Sequence, residues 1–378
     1  MYVSFSGGKD STVLLHLVRS LFPNVPAVFC NTGLEYPEIQ QFVKSFENVE
    51  IIYPQKNFKE VITEFGYPLI SKEVAEAAYY ARRILPSDTH THTHTENRTP
   101  RRRRMEFLGT RPRDDSQTVG LLRAQIERER ERESTESSRD REAHKGAWCN
   151  WRRRCFLGVA GRFEEKSLFN KEKWLPLVRD LPVKISHKCC DVMKKSPNHK
   201  YARRTKREPY LGTMAAESRV RKQAWIRQGC NAFTGTRRKS APLSFWTEQD
   251  ILAYIQAFHL ELAPVYGDIV ENKNGKLECT GCDRTGCVYC AFGAHSEKGE
   301  TRFQRLAKTH PRQYEYCMRG GEWIDNPAYD PTANMEPDEN GWVNWNPKKI
   351  LVPSKEGLGL KHVFDMCNEI IPGMYRYD

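Results

Sequence analysis

Short apolar runs alternate with amphipathic segments in the N-terminal part of the chain. The runs predict strands at Tyr2–Phe5, Val25–Asn31 and Glu50–Tyr53. After the first run, apolar residues spaced three and four positions apart, from Val13 to Leu21, predict a helix. Such alternation is typical of a parallel sheet flanked by helices, with ligands bound beyond the carboxyl ends of the strands. The pattern therefore predicts an α/β, Rossmann-like fold.

The periodic pattern stops near Pro86. The following segment holds a Thr–His alternation at Thr89–Thr95, four arginines at Arg101–Arg104 and an Arg/Glu/Ser-rich stretch at Arg123–Arg141. Few of its residues are of the types that form a core. Residues 86–166 are therefore predicted to be a low-complexity insertion, either disordered or a solvated helix.

Ordered patterns return beyond the insertion. Glu208–Gly212 is predicted to be a strand, and Thr247–Phe258 a helix that Thr247 caps, with Asp250 at its third position. The α/β domain is thus expected to resume there. Beyond Gly321 the chain is rich in Pro, Asn and Trp, and no function is indicated for that tail.

Between the first predicted strand and helix lies the motif Ser6-Gly7-Gly8-Lys9-Asp10-Ser11. Glycines let the backbone approach a phosphate, and the free N–H groups of a helix N-terminus point at it. Lys9 adds a positive charge, the two serines add hydroxyl donors, and Asp10 is expected to hold Mg²⁺ or to cap the helix. The spacing differs from that of the Walker A loop. The motif predicts a phosphate site, and the alternative is an ordinary Gly-Gly turn before a helix.

The chain is basic, with 60 Lys and Arg against 48 Asp and Glu and a net charge of +12. This excess suits anionic substrates such as nucleotides, or a nucleic acid, and the alternative is a basic enzyme with no polymer partner. The sequence contains no apolar run of membrane-spanning length and no signal-peptide pattern, so we expect a cytoplasmic protein without a membrane partner. Met1 is so close to the first predicted strand that we expect a trimmed N-terminus.

The highest density of potential metal ligands occurs in two Cys-x-x-Cys motifs. They are formed by four of the chain's 12 cysteines: Cys279, Cys282, Cys287 and Cys290. Each pair can chelate one metal, and the short spacer favours iron–sulfur over zinc, which remains the alternative. In the chain, Cys189 and Cys190 are followed by two lysines, which favour thiolate character. The alternative is that Cys189 and Cys190 act only as small buried apolar residues.

A third cluster lies in the segment Gly212–Arg221, after a predicted strand end. It contains Glu217, Arg219 and Arg221. The arginines are suited to bind phosphate or sulfate through bidentate hydrogen bonds. The alternative is a charged helix start with solvated arginines.

These motifs occur in an order that resembles the phosphoadenosine phosphosulfate (PAPS) reductase family of the PP-loop, adenine nucleotide alpha-hydrolase-like superfamily. The segments that carry the resemblance are SGGKDS, NTGLEYPE, KCC, GTMAAESRVRK, PLSFWTEQDILAYI, APVYGDI and TGCVYC. They lie in residues 1–80 and about 167–320. The resemblance implies a Rossmann-like PP-loop domain that binds an adenine nucleotide, namely PAPS, adenylyl sulfate or ATP.

The resemblance also assigns segments to the chain. They are 1–85, the first part of the nucleotide-binding PP-loop domain; 86–166, the insertion; 167–270, the second part of that domain; 271–320, a cysteine-rich metal-binding segment; and 321–378, a C-terminal tail of unknown role. The PP-loop Ser6–Ser11 would bind phosphates or sulfate. The adenosine would lie against Asn31, Thr32 and Gly33, and the anionic end against Arg219 and Arg221, near Gly212 and Glu217.

In the iron–sulfur branch of the family, a Cys-Cys pair and a later Cys-x-x-Cys bind a [4Fe–4S] cluster. The resemblance places these ligands at Cys189, Cys190, Cys287 and Cys290, with Lys188 beside the cluster. Cys279 and Cys282 are additional to the family's four and are alternative ligands. If they replace the Cys-Cys pair, Cys189 or Cys190 is left as the catalytic nucleophile.

The chain departs from the family's reductases at its C-terminus, where a Glu-Cys-Gly-Leu-His motif is absent from the sequence. Three functions are therefore open. The first is sulfonucleotide reduction, with a thiol reductant such as thioredoxin. The second is ATP-dependent sulfur transfer to a tRNA, a DNA or a small acceptor. The third is a nucleotide-binding cluster protein without catalysis.

Overall fold

The computed structural model describes residues 1–82, 171–232, 238–338 and 341–378, without the side chains of Arg219 and Val220. The whole of the predicted insertion, residues 86–166, including its histidines and arginine run, lies outside these residues. The chain divides into two compact units. The first comprises Met1–Tyr79, Leu181–Asp325 and Pro347–Asp378, and the second comprises Tyr80–Asp180 and Asn326–Asn346.

The first unit is built on a mostly parallel sheet. Its strands in the described residues are β1 Tyr2–Phe5, β2 Ala27–Cys30, β3 Val49–Ile52, β4 Pro209–Tyr210, β5 Asn231–Ala232 and β6 Lys239–Ser240. They lie in the order β3-β2-β1-β4-β6-β5. All neighbours in this sheet are parallel except β5 and β6. The prediction of a mixed α/β fold with a largely parallel central sheet is confirmed.

Helices flank this sheet and continue into the rest of the chain. The described helices are α1 Lys9–Leu21, α2 Pro37–Lys44, α3 Phe58–Phe65, α4 Lys72–Ala81, α5 Leu175–Asp180, α6 Ser196–Thr205, α7 Arg219–Gln228, α8 Glu248–Ala257, α9 Arg302–Thr309, α10 Pro311–Met318 and α11 Leu360–Ile370. A π-helical turn, Asp191–Lys195, leads into α6.

The apolar pattern of the first helix explains its position. Val13, Leu14 and Val18 are buried on α1, and Val3 and Phe5 are buried on β1, which α1 contacts. Burial of one such side chain stabilises the fold by about 1.5 to 3 kcal/mol. This packing fixes the start of α1 at the carboxyl end of β1, where the PP-loop lies.

The C-terminal part of the first unit packs into its core. Two antiparallel strand pairs lie outside the central sheet, formed by β7 Ile269–Glu271 with β8 Leu277–Cys279 and by β9 Glu322–Asp325 with β10 Lys349–Val352. Phe364 of α11 is fully buried and stacks on Tyr375 with ring centroids 4.3 Å apart. The backbone N–H of Ile70 donates to the Tyr375 hydroxyl over 2.8 Å. This part of the tail therefore has a structural role that the sequence did not indicate.

The second unit is held together around one buried arginine. The guanidinium of Arg82 lies over the Trp345 ring, 4.5 Å from its centroid, and donates to the carbonyl oxygens of Val178 and Leu177 over 2.8 and 3.1 Å. Buried polar groups need such partners to offset their lost hydration. No helix within the described residues is long and apolar enough to cross a membrane.

Candidate functional site

The PP-loop turns sharply between β1 and α1 because of its first glycine. Gly7 has φ +70°, in the left-handed region that disfavours a side chain. A Cβ atom there would also lie 2.8 Å from Val43 Cγ2 and 2.9 Å from Ile39 Cγ2. The turn therefore packs directly on α2, and glycine is required for both reasons.

The two motif serines hold the loop in shape. Ser11 Oγ accepts a hydrogen bond from the Ser6 backbone N–H over 3.1 Å and donates to the Gly8 carbonyl over 2.9 Å. The Ser6 and Ser11 hydroxyl oxygens are 3.0 Å apart. These bonds connect the loop to the first turn of α1, so that its conformation is preset before any ligand binds.

A cavity of about 760 Å³ opens at the start of α1. This volume is in the range of small-molecule sites. Of the residues that the sequence singled out, it is lined by Ser6, Gly8, Lys9, Asp10, Ser11, Gly212, Glu217 and Arg221. Side chains that the sequence analysis did not assign also line it, among them Glu248, Tyr266, Arg284 and Thr285. We refer to it as the phosphate cavity.

Lys9 is buried at the floor of the phosphate cavity. Its ammonium pairs with the half-exposed carboxylate of Glu248 and lies 5.9 Å from the Tyr266 ring centroid. Its backbone N–H donates to the Tyr266 hydroxyl over 3.3 Å, and that hydroxyl is 2.5 Å from Thr285 Oγ1. Burial raises the pKa of Tyr266 to about 12, so this hydroxyl stays protonated at neutral pH. Lys9 is thus fixed within the cavity, with its charge paired to Glu248.

Asp10 places a carboxylate in the same cavity. Its Oδ1 atom is buried and has no hydrogen-bond partner among the described residues. Burial raises the pKa of Asp10, and the positive charges of Lys9 and Arg284 oppose this shift. An unpartnered oxygen beside a phosphate site is suited to a divalent cation, since carboxylate and phosphate oxygens are the ligands Mg²⁺ prefers.

Glu217 organises two arginines that line the same cavity. It forms ion pairs with Arg221 and with Arg284, whose Nη2 lies 2.6 Å from Glu217 Oε1. Its other carboxylate oxygen accepts a hydrogen bond from the Met214 backbone N–H over 2.9 Å. Glu217 therefore positions two guanidinium groups, and the side chain of Arg219 lies outside the described residues.

The segment expected to lie against adenosine follows β2. Thr32 donates to Glu35 through its hydroxyl over 2.8 Å and its N–H over 3.0 Å, and Asn31 Oδ1 accepts from the Gly33 N–H over 3.0 Å. These three residues do not line the phosphate cavity. Beside them, a smaller cavity of about 150 Å³ is lined by Cys30, Glu35 and Ser6 among others. Ser6 lines both cavities.

Four cysteines from two distant segments of the first unit interact electrostatically with one another. The thiol of Cys189 donates to the sulfur of Cys190 over 4.0 Å, which lowers the pKa of Cys190 and raises that of Cys189. Cys287 and Cys290 interact electrostatically with both. Burial raises the pKa of Cys290 to about 12, and that of Cys287 is raised too, although Lys194 hydrogen-bonds its thiol. We call these four residues the cysteine group.

The two additional cysteines have other neighbours. Cys279 interacts with Lys9, and Cys282 is hydrogen-bonded to the Tyr36 hydroxyl and to Arg305. Neither is among the thiols that act on Cys189. The described residues contain no group of three or more His, Cys, Asp or Glu that could hold a metal ion. An iron–sulfur cluster differs from a single ion because each thiolate binds a separate iron.

The chain matches the phosphoadenosine phosphosulfate reductase domain over residues 1–119 and 161–292. It belongs to the PAPS reductase family. An uncharacterized protein of Methanocaldococcus jannaschii is 36% identical over 69 residues, which is 17% of this chain and 17% of that protein. The resemblance to this family that was read from the sequence is thereby confirmed.

Several cavity residues of this PAPS reductase family member were missed by the sequence analysis. Glu248 and Tyr266 lie within the segments PLSFWTEQDILAYI and APVYGDI, which were used only to identify the family. Arg284 and Thr285 lie between the two Cys-x-x-Cys pairs and were assigned only to a metal segment. The available signal for Arg284 and Thr285 was that two polar residues stand close to the glycines Gly281 and Gly286.

Proposed function

We propose that this protein binds ATP with Mg²⁺ in the phosphate cavity and transfers AMP to an acceptor oxygen, which a sulfur atom then replaces. The observation that carries this proposal is Asp10, whose buried Oδ1 has no hydrogen-bond partner among the described residues and which lines the cavity with Lys9. A bare carboxylate repels a polyphosphate, whereas a divalent cation between them makes the contact attractive. A triphosphate therefore makes more use of Asp10 than the phosphosulfate of PAPS or adenylyl sulfate, whose sulfuryl group is a weaker metal ligand than a phosphate.

The surrounding residues have distinct roles in this reaction. Lys9 and the N–H groups at the start of α1 bind phosphate oxygens. Arg221 and Arg284 stabilise the charge that develops on the leaving group. The acceptor oxygen forms a bond to the α-phosphorus, the bond to the β-phosphate oxygen breaks, and pyrophosphate leaves with that electron pair. A bound Mg²⁺ at Asp10 would neutralise phosphate charge.

The cysteine group would serve the sulfur half of the reaction. The proposed ligands of a [4Fe–4S] cluster are Cys189, Cys190, Cys287 and Cys290, because these thiols lie together and Lys194 adds a positive charge beside Cys287. A cluster would supply a site for sulfur or electrons near the nucleotide. Zinc remains the alternative cofactor. Cys189 and Cys190 are the candidate nucleophiles if the cluster does not use them.

The experiment is to follow ³¹P signals from ATP with Mg²⁺ and candidate acceptors under anaerobic conditions. The proposal expects pyrophosphate and an adenylylated acceptor, with AMP released once sulfide is added to displace it, and loss of at least about tenfold in rate for Asp10→Asn. Phosphate and ADP as the only products would contradict it, since the α–β bond would be intact. Nucleotide affinity of the variant is measured alongside, which separates binding from turnover.

A second candidate is sulfonucleotide reduction, and the gathered thiols favour it. Attack of a Cys189 or Cys190 thiolate on the sulfur of PAPS or adenylyl sulfate would form an enzyme thiosulfonate and release the nucleotide. A thiol reductant such as thioredoxin would then form a disulfide and release sulfite. Sulfite production from either compound without added metal, and no pyrophosphate from ATP, would establish this reaction instead.

A further inference from the structure

A large basic cleft lies next to the phosphate cavity in the first unit. It measures about 1220 Å³ and runs between the π-turn and α6 on one side and β4 to β6 on the other. Seven cationic side chains line it against two acidic ones, Asp191 and Glu208. The cations are Lys194, Lys195, Arg203, Lys206, Arg207, Arg238 and Lys239. We refer to it as the basic cleft.

Some of these cations are neutralised by carboxylates. Lys195 lies 2.7 Å from Asp191 and Lys194 lies 3.6 Å from Glu35. Arg207 lies 3.5 Å from Glu50. These three ion pairs reduce the positive potential of the cleft, so its net positive charge depends on the remaining cations.

Four cations of the cleft have no carboxylate partner within the described residues: Arg203, Lys206, Arg238 and Lys239. All four are exposed. Arg203 is in the last turn of α6, and Lys206 follows it with φ 55°. Lys239 is in β6, paired with Ala232 of β5. The backbone thus holds unneutralised charges on two separate elements facing one cleft, where positive potential accumulates.

The shape and composition of the cleft indicate a polymer of phosphates. Its volume exceeds that of the neighbouring phosphate cavity, so it has room for more than a single nucleotide. None of the exposed large apolar side chains of the described residues lines it. A protein partner would be expected to use apolar or aromatic anchors, whereas contacts to a phosphodiester backbone need mainly Lys and Arg.

We propose that the basic cleft binds the phosphodiester backbone of a nucleic acid, and, resting on the proposed function, that this nucleic acid carries the acceptor. The two cavities share Ser4 and Leu211 as lining residues. A strand bound in the cleft therefore passes the phosphate cavity, where one of its oxygens can reach the nucleotide. Backbone contacts position the strand without reading its sequence.

The test is fluorescence anisotropy of the full chain, without ATP, using a labelled RNA stem-loop, the same sequence as DNA, and labelled polyglutamate. The test variant is Arg203→Gln with Lys206→Gln. The matched control is Lys298→Gln with Arg312→Gln, which removes the same charge from exposed residues that do not line the cleft. Thermal unfolding and ATP affinity confirm that each variant is folded.

The proposal expects binding of RNA or DNA that weakens at least about tenfold in the test variant, with a salt slope smaller by about one to two. The control variant should bind like the parent chain. Equal weakening by both variants, unchanged binding of the test variant, or equally tight binding of polyglutamate would overturn it. Because ATP is absent, failure here is independent of the pyrophosphate assay, and tighter binding of RNA or of DNA distinguishes the two sources.

Discussion

At the start of α1, Glu248 holds the ammonium of Lys9, the group that is proposed to bind phosphate. The two side chains form an ion pair within the phosphate cavity, and Glu248 is half exposed there. Replacement by Gln removes one negative charge from a polyanion site and frees Lys9. Glu248→Gln should therefore tighten ATP binding by about threefold to tenfold, or about 1 kcal/mol. Calorimetric titration measures this, and weaker binding would show that Glu248 contributes to the site instead.

The same reasoning gives a stability prediction for Asp10. Burial raises its pKa, so the ionised carboxylate is less favourable in the folded protein than in the unfolded chain. Its contribution to the free energy of unfolding is therefore lost as pH rises through the range between the ordinary and the raised pKa. At neutral pH, Asp10→Asn should raise the thermal midpoint while it lowers turnover.

The stability difference should shrink below about pH 4, where the carboxyl is protonated in both states. Thermal melts at neutral and acidic pH measure it. A lower midpoint for Asp10→Asn at neutral pH would mean that the carboxylate has a stabilising partner, and would remove the argument for a cation there.

At this scale the sequence predicts a phosphate loop because all its groups lie in six consecutive residues, and the binding role of those residues stays a prediction. It could not locate the contact between the Lys9 N–H and the Tyr266 hydroxyl, since the two residues are separated by 257 positions. Glu217 lines the phosphate cavity, and its contact with Arg284 depends on packing of segments far apart in the chain. Local patterns carry no information on such pairs.

Among the elements, the turn before α1 depends most on a single residue. Gly7 has a φ of +70°, and a Cβ atom added there would lie less than 3 Å from methyl groups of Ile39 and Val43. Gly7→Ala should therefore lower the free energy of unfolding by about 3 kcal/mol, from backbone strain and overpacking together. Denaturant unfolding is the measurement.

Gly33→Ala is the matched control for that substitution. Gly33 has nearly the same φ, +72°, but a Cβ there meets no described atom within 4 Å. It should cost only about 1 kcal/mol, from the backbone alone. Equal losses for the two alanine variants would contradict the close packing of the turn on α2.

Element boundaries were predictable where local chemistry defines them. The helix predicted at Thr247–Phe258 is found at Glu248–Ala257, and the reciprocal hydrogen bonds of Thr247 and Asp250 form its N-terminal capping box. The strand predicted at Glu208–Gly212 extends only over Pro209–Tyr210. The π-turn Asp191–Lys195 was not predicted, since no sequence pattern distinguishes it from ordinary helix.

For the whole molecule, the cysteine group sets the expected metal content. If Cys189, Cys190, Cys287 and Cys290 hold a [4Fe–4S] cluster, anaerobically purified protein should contain about four irons per chain and absorb broadly in the visible. Cys290→Ser should lose most of this iron. Cys279→Ser should keep it, because Cys279 interacts with Lys9 rather than with the other thiols.

Iron, sulfide and zinc analysis of these variants is the measurement. Loss of iron in Cys279→Ser with retention in Cys290→Ser would reverse the ligand assignment. Zinc without iron in the parent protein would show that the cysteines bind a structural zinc ion and not a cluster. Sequence spacing alone left both pairs open, and only the folded chain brings Cys189 and Cys190 near Cys287.

The account as a whole depends on the phosphate cavity being an adenine nucleotide site centred on Lys9. The most direct measurement is calorimetric titration of ATP with Mg²⁺ into the parent protein, Lys9→Gln and the surface control Lys298→Gln. Loss of a charge-assisted contact predicts weakening of at least about 2 kcal/mol, or roughly 30-fold, for Lys9→Gln only. Equal affinity of the parent protein and Lys9→Gln would contradict the assignment of the nucleotide to this loop.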